Sequence, residues 1–562
     1  MSTQIQRDES GNIQVPGTMT RRGFMVNAGI LGLGAMALGP FLTACSREAA
    51  TGTGATAAAL RKGGTLTFAI DGTNGSLDPA AYTTLGDWLA VDTICSGLTT
   101  ADFATNEIQP SLASGWTFSA DGLQLTLQLR EDVKFHDGTL LTSADVVRTF
   151  NRQLVDGDAS LPTGASRPLR GATARNIKAV EAVDPHTVRL TLGVPDLVLP
   201  GRLSHISARI LQAAQIDAVG AQLGTTLIGT GPYKLASLAA QQSITLEAFP
   251  DYFGGAPALD RLVFQQVADA STLTAGLMSA QVNASSFVSH SSAVSLKANK
   301  AVTVYDVPRR VNVFVMMNVT RPVLADLRVR KAINLAIDRS QICANAFAGF
   351  ADEPKGYALG AVSVGYDPSL ADLSSYDVSA AKALIAEAGA TGAKVSLIAQ
   401  NNNWYPRAAQ ILEENLKAIG LVPTIELLDA GSFSGRFFDV GAHDLALWER
   451  NGYVPDPDEQ VGNLLSSTGS YGSKGSGVAT LKDKADVLAQ IDGYLRSACQ
   501  TSDDAARRDL YTKAQRLYAE QIMALAMVCQ TQNIVVSNGA SRLGEASLAS
   551  QRAQLAQAAL TA

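Results

Sequence analysis

Residues 109–146 read QPSLASGWTFSADGLQLTLQLREDVKFHDGTLLTSADV. Within them Leu123, Leu125, Leu127 and Leu129 alternate with Gln and Thr, just after the turn Ala120-Asp121-Gly122. Apolar side chains at every second position put one face of a strand on a core and leave the other face polar. His136-Asp137-Gly138 reads as a tight turn between a strand and a helix, with Gly138 supplying a positive φ. Ser143-Ala144-Asp145 then opens a helix that continues through Val146, Val147 and Phe150.

The same two periods recur outward from this stretch. Leu66-Thr67-Phe68-Ala69-Ile70 forms a short strand leading into a turn at Asp71-Gly72. Val188, Leu190 and Leu192 alternate after Asp184-Pro185, and Ile244, Leu246 and Ala248 alternate before Pro250. Asp326 caps a helix whose apolar face is Val329, Ala332, Ile333, Ala336 and Ile337. Further helices are expected over 378–388, stopping at Gly389, and 406–419, stopping at Gly420. Late helices cover 485–498 and 505–524, and the Ser/Gly-rich segment 466–477 reads as a surface loop. Strands and helices alternate throughout, so the class is α/β with mixed sheets.

The chain has 562 residues, 46% of them hydrophobic and 17% charged. That is room for about three or four domain-sized units, or two lobes with insertions, and it excludes a disordered chain. The balance of 45 basic against 51 acidic residues, with no run of basic residues, argues against a nucleic-acid binder held by phosphate contacts. Five cysteines without CxxC spacing make no scaffold. His136, His186, His205, His290 and His443 show neither HxxxH nor HExxH spacing, so no metal is expected. No GKS or GKT is present, and Gly431-Ser432-Phe433-Ser434-Gly435 has Phe where a nucleophile elbow has Ser. Gly229-Thr230-Gly231-Pro232 lacks the third glycine of a dinucleotide loop and reads as a hinge-side turn. A secreted hydrolase is the rival from another class, and it lacks any nucleophile–base motif. No catalytic residue and no cofactor are expected.

The N-terminus reads as an export address. Arg21 and Arg22, with Phe24 two residues on, resemble the twin-arginine signal of bacteria, which exports folded proteins. Residues 24–44 are uncharged but rich in glycine, which makes a poor membrane span. Leu42-Thr43-Ala44-Cys45 resembles a lipobox, where cleavage precedes the cysteine and the new terminus is acylated. The alternative is an uncleaved anchor helix or a chance LTAC. On the first reading, 1–44 is a lipoprotein signal peptide, Cys45 is lipidated, and 45–59 is a flexible tether. The working part then lies outside the cytoplasm, anchored at the outer face of the membrane or in the periplasm. Cys95, Cys343, Cys499 and Cys529 read as buried free thiols.

Several segments carry a family pattern in order. They are Leu77-Asp78-Pro79-Ala80, the segments 109–116, 121–123, 129–139 and 141–146, Gly229-Thr230-Gly231-Pro232-Tyr233-Lys234-Leu235 and Asp251-Tyr252-Phe253. Downstream come Leu327-Arg328-Val329-Arg330-Lys331-Ala332-Ile333, Ala336-Ile337-Asp338-Arg339, Gly365-Tyr366-Asp367-Pro368 and Asp456-Pro457-Asp458. Along nearly the whole mature chain these resemble solute-binding protein family 5 of bacterial ABC importers, which includes the dipeptide- and oligopeptide-binding proteins.

The resemblance implies the two-lobed periplasmic-binding-protein fold, type II, in the large class with an extra domain and an interlobe ligand cleft. Carried onto this chain, the sheet domain of lobe 1 uses 60–85, 225–308 and 505–562. The extra domain is 86–224, and lobe 2 is 309–504. It implies a monomeric receptor, not an enzyme, that passes a small solute to ABC permease and ATPase subunits. Peptide is the family's commonest ligand class. Ligand-facing loops would then carry Tyr82, Thr83, Asp87 and Trp88, then Asn402, Trp404 and Tyr405, then Trp448, Arg450, Tyr453 and Asp456. Trp404 and Trp448 are expected to line the cleft.

One departure matters. In peptide-binding members an aspartate three residues before the acidic-Pro pair holds the peptide's α-ammonium. Here Tyr453 stands at that spacing from Asp456-Pro457, and the stretch after Trp448 is longer by two residues. Either Asp456, Asp458 or Glu449 substitutes, or the ligand is not a free-amine peptide. Sugars, opines, modified peptides and metal chelates stay open, as does a ligand-sensing role.

Overall fold

The computed structural model describes residues 60–561 apart from 82–83, 103–104, 106, 164, 166, 170–175, 361–362, 439–441, 451, 453, 455 and 544–554, together with two short strands, Gln6–Arg7 and Ile13–Gln14. Arg21, Arg22, Cys45, Tyr82, Thr83 and Tyr453 lie outside the described residues.

Strand β1 (Thr65–Ile70) buries Leu66, Phe68 and Ile70, as its alternation requires. Helix α1 (Leu85–Ile94) begins at Thr84, whose side chain accepts the Asp87 N–H while Asp87 accepts the Thr84 N–H. The stretch 109–146 yields β2 (Ala113–Phe118), β3 (Gln124–Leu129) and α2 (Ser143–Leu154). With β4 (Ile177–Asp184) and β5 (Thr187–Leu192) these strands pair antiparallel in the order β2-β3-β5-β4. Gly138 has φ +91°, so the turn does need glycine.

Strands β6 (Tyr233–Ala239), β7 (Ser243–Ala248) and β8 (Arg261–Gln266) form a meander whose last member runs parallel to β1. Strand β9 (Ala284–Ser285) pairs with β1 on its other side. The fifteen-residue β10 (Thr303–Met317) then carries the chain into its second half. That half contains α3 (Leu327–Ala336), α4 (Val378–Glu387), β11 (Lys394–Gln400), α5 (Tyr405–Ala418) and β12 (Val422–Leu428). It continues with α6 (Ala430–Phe438), β13 (Leu445–Arg450), α7 (Asp458–Leu465), α8 (Ala485–Cys499) and α9 (Asp504–Gln521). Strand β14 (Leu525–Ser537) returns, and the main sheet reads β6-β7-β8-β1-β9-β14-β10-β13-β11-β12.

Two long strands therefore belong to both halves. β10 pairs with β14 from Thr303 against Ser537 to Met316 against Leu525. Between Pro308 and Val311 the register shifts, leaving Arg309 and Arg310 without counterparts on β14. On one side of this break lies a core containing Phe68, Val91, Phe264 and Val535. On the other lies a larger core containing Phe314, Leu397, Leu412, Leu447 and Val528.

Two local expectations change. The helix expected over 505–524 ends at Gln521, because residues from Leu525 are taken into β14. Helix α9 packs on α8, and its Tyr511, Ala514 and Tyr518 join the second core. The segment 466–477 is not a surface loop: Tyr471, Gly472 and Gly475 are buried, with Tyr471 against Phe437 and Phe438. The four described cysteines are free and buried. Among the described residues no helix is long and apolar enough to cross a membrane.

His136 fastens the glycine turn that follows α1 in space. Its Nδ1 accepts the Gly229 N–H at 3.2 Å, and its Nε2 lies 3.1 Å from the Gly231 carbonyl. A neutral ring protonated on Nε2 satisfies both, and burial pushes its pKa down to about 4. A Cβ on Gly231 would stand 2.3 Å from the Thr93 carbonyl oxygen. Gly231→Ala is expected to cost on the order of 3 kcal/mol in urea unfolding. His443, fully buried against Phe437, is also held down at about 4 by burial. Its ring charges first in the unfolded chain, so stability is full above about pH 6.5 and falls as pH drops toward 4. The expected loss is on the order of 3 kcal/mol for this group, read from urea midpoints at pH 7, 5.5 and 4.

Candidate functional site

Register alone locates the cleft. Ala69 of β1 lies level with Val304 of β10, through Ser285 and Val536. Arg450, at the end of β13, lies level with Asn312. β1 and β8 run parallel toward the second half, and β11 and β13 run parallel toward the first. Both sets of C-terminal ends thus point into the interval between Val304 and Asn312, about 25 Å of extended chain. Loops at such ends are where open α/β sheets hold ligands. Here the described parts are 71–81 and 84 after β1, 401–404 after β11, and 452, 454, 456 and 457 after β13.

On the first rim, Asp87 is fully buried and committed to structure. It accepts from Thr73 Oγ1 at 2.5 Å, the Asn74 N–H at 3.0 Å and Thr84 Oγ1 at 2.9 Å, which pins the 72–75 turn to α1. Trp88 meets His205 edge-on at 5.7 Å. On the second rim, Asn401, Asn402 and Asn403 are exposed, and Asn403 takes φ +51°. Trp404 and Tyr405 stack at 3.8 Å, and Trp404 also packs on Phe347 at 4.7 Å. Trp448 lies against Phe433 and Phe437 at 4.5 and 5.4 Å. The structure thus brings both tryptophans into the second core.

The charged candidates are already engaged. Arg450 pairs with Glu459 and lies over the Tyr471 ring. Asp456 takes a hydrogen bond from Arg507 at 2.5 Å, and Asp458 lies 3.6 Å from Arg202, which also pairs with Asp196. The Leu197 N–H donates to the Cys499 carbonyl at 2.9 Å, so the segment around Arg202 docks on α7 and α8. Asp456 and Asp458 therefore balance protein cations. Among the described residues no three His, Cys, Asp or Glu side chains converge as a metal site.

Two features escaped the sequence reading. One is a polar row in direct register across four strands, Arg450, Asn312, Gln530 and Asp352, at the second-half edge of the interval. Asn312 interrupts the apolar run Val311–Met316, which was a visible signal. The other is Asp71, exposed at the end of β1. Surrounding protein desolvates it and nearby Asp87 repels it, while backbone N–H groups of Asp71 and Gly72 pull the other way; its pKa rises to about 6.

Residues 107–472 match the model of "Bacterial extracellular solute-binding proteins, family 5 Middle". The chain belongs to this family. The glutathione-binding protein GsiB of Escherichia coli O1:K1 / APEC is 27% identical over 470 residues, covering 80% of this chain and 87% of that protein. The periplasmic binding protein DppA from Helicobacter pylori, in complex with the peptide STSA, superposes with TM-score 0.77 at 23% identity, covering 89% and 99%. AgaA from A. tumefacien R10, in complex with agropinic acid, gives TM-score 0.73 at 26% identity, covering 87% and 98%. The architecture of this family 5 protein is accordingly the two-lobed binding-protein fold.

In this family 5 protein, Asp456→Asn leaves the buried Arg507 with only the exposed Asp504, 3.8 Å away, as an acidic partner among the described residues. The expected cost is about 3 kcal/mol, seen as a lower urea midpoint at pH 7.

Proposed function

We propose that this chain is the substrate-binding subunit of an ABC importer, held outside the cytoplasm by an acylated Cys45, and that its ligand is a short peptide. The observation that carries the reading is the convergence of parallel strand ends from both lobes on one interval. A solute there touches both lobes at once, so its binding energy favours closure about the β10–β14 crossing. Relatives that bind glutathione and the peptide STSA support peptide as the class. We further propose that lobe 1 comprises 60–308 and 532–561, with 86–224 as its extra domain, and lobe 2 comprises 309–531. The packing of α9 on the second core favours this division over a boundary at 505.

An opine is the second reading. Asp456 and Asp458 both face arginines, and a relative of similar fold holds agropinic acid. Native mass spectrometry of the soluble form starting after Cys45, expressed in rich medium, separates the two. Released peptide masses are expected. An opine or sugar mass would keep the receptor role and overturn the peptide assignment, and catalytic turnover of a bound solute would overturn the receptor role itself.

A further inference from the structure

We propose that Asp71 holds the cationic amine of the ligand, the role that Tyr453 leaves open; this rests on the peptide reading and deepens it. Asp71 follows Ile70, the last residue of β1, and so stands on the first-lobe rim of the interval into which the parallel strands point. It is exposed. The other carboxylates of these loops are engaged: Asp78 by Arg152 at 2.6 Å, Asp87 by Thr73, Asn74 and Thr84, Asp456 by Arg507, and Asp458 near Arg202. The N–H dipoles of Asp71 and Gly72 favour its charged form, and among the described residues no lysine or arginine lies within ion-pair reach.

The backbone presenting it is firm. Thr84 Oγ1 donates to the Gly72 carbonyl at 2.8 Å, and α1 presses so close that a Cβ on Gly86 would stand 2.3 Å from that oxygen. Among the described residues the charged group acting on Asp71 is Asp87 of α1, whose own oxygens are tied to four donors. The carboxylate is thus partly stripped of water, repelled by a like charge and given no cation. A ligand ammonium supplies what that environment lacks, on a scaffold that need not reorganise.

The test uses casein hydrolysate, before and after complete acetylation of its amines, added to the purified protein and read by thermal melting. Free-amine hydrolysate is expected to raise the wild-type melting temperature, with the acetylated pool needing at least about tenfold more for the same rise. Asp71→Asn is expected to melt no lower than wild type without peptide, because it removes the repulsion between Asp71 and Asp87 and breaks no ion pair. It should need at least about tenfold more hydrolysate. Wild-type affinity should be roughly tenfold weaker at pH 5 than at pH 7, since Asp71 protonates below about 6, and the variant should lose that dependence. Equal responses to the two pools, or a full response in Asp71→Asn, overturn the role of Asp71 and leave the peptide reading standing. No response to either pool overturns both.

Discussion

Strands β10 and β14 pair along nearly their whole lengths, and that single ladder is the constraint on which the rest of the molecule depends. Each half hangs its own strands on it: β9 and β1 on one stretch, β13 and β11 on the other. Because the ladder is continuous, the position of every neighbouring strand can be referred to one axis. Because its register slips at Arg309 and Arg310, the two stretches are not one stiff ribbon. Rigid lobes with a bulged connection are suited to a hinge whose motion leaves each lobe's packing intact.

The buried charges follow from the same geometry. Where the segment 196–202 meets α7 and α8, Arg202 lies between Asp196 and Asp458, and Arg507 meets Asp456 close by. Each arginine there is almost wholly removed from water, so losing its acid partner would be costly, while the intact pairs add modest net stability. Their effect is to fix which surfaces meet. The acidic-Pro segment that sequence spacing associates with the ligand is, in this chain, first a part of that junction.

Much of the fold was legible locally. The leucine alternation of 123–129 became β3, the chain after Thr142 became α2, and Gly389 and Gly420 stop α4 and α5 in the left-handed conformation. What was not legible depended on distant partners. The Ser/Gly composition of 466–477 signals a loop, yet Phe437, Phe438 and Trp448 cover its Tyr471. The reach of α9 into the second core depends on α8, which local propensity does not report. At the site, aromatics on loops drew attention, but ring stacking is equally a packing device, and Trp404 and Trp448 are stacked on core residues. Asp71 read as a turn residue only, because what distinguishes it is the engagement of Asp78, Asp87, Asp456 and Asp458 by other groups of the protein.

The middle strand of the main sheet, residues 525–537, is the last of that sheet's strands in chain order. Until residues 525–537 emerge, β9 and β10 face an empty lane, and neither half can be referred to the other. Contacts this distant in sequence make assembly slow and leave unpaired edges waiting. A chain broken anywhere before β14 would lack the ladder altogether. The sheet therefore closes only when its last strand in chain order arrives, so the sheet itself distinguishes a chain that contains β14 from one cut before it.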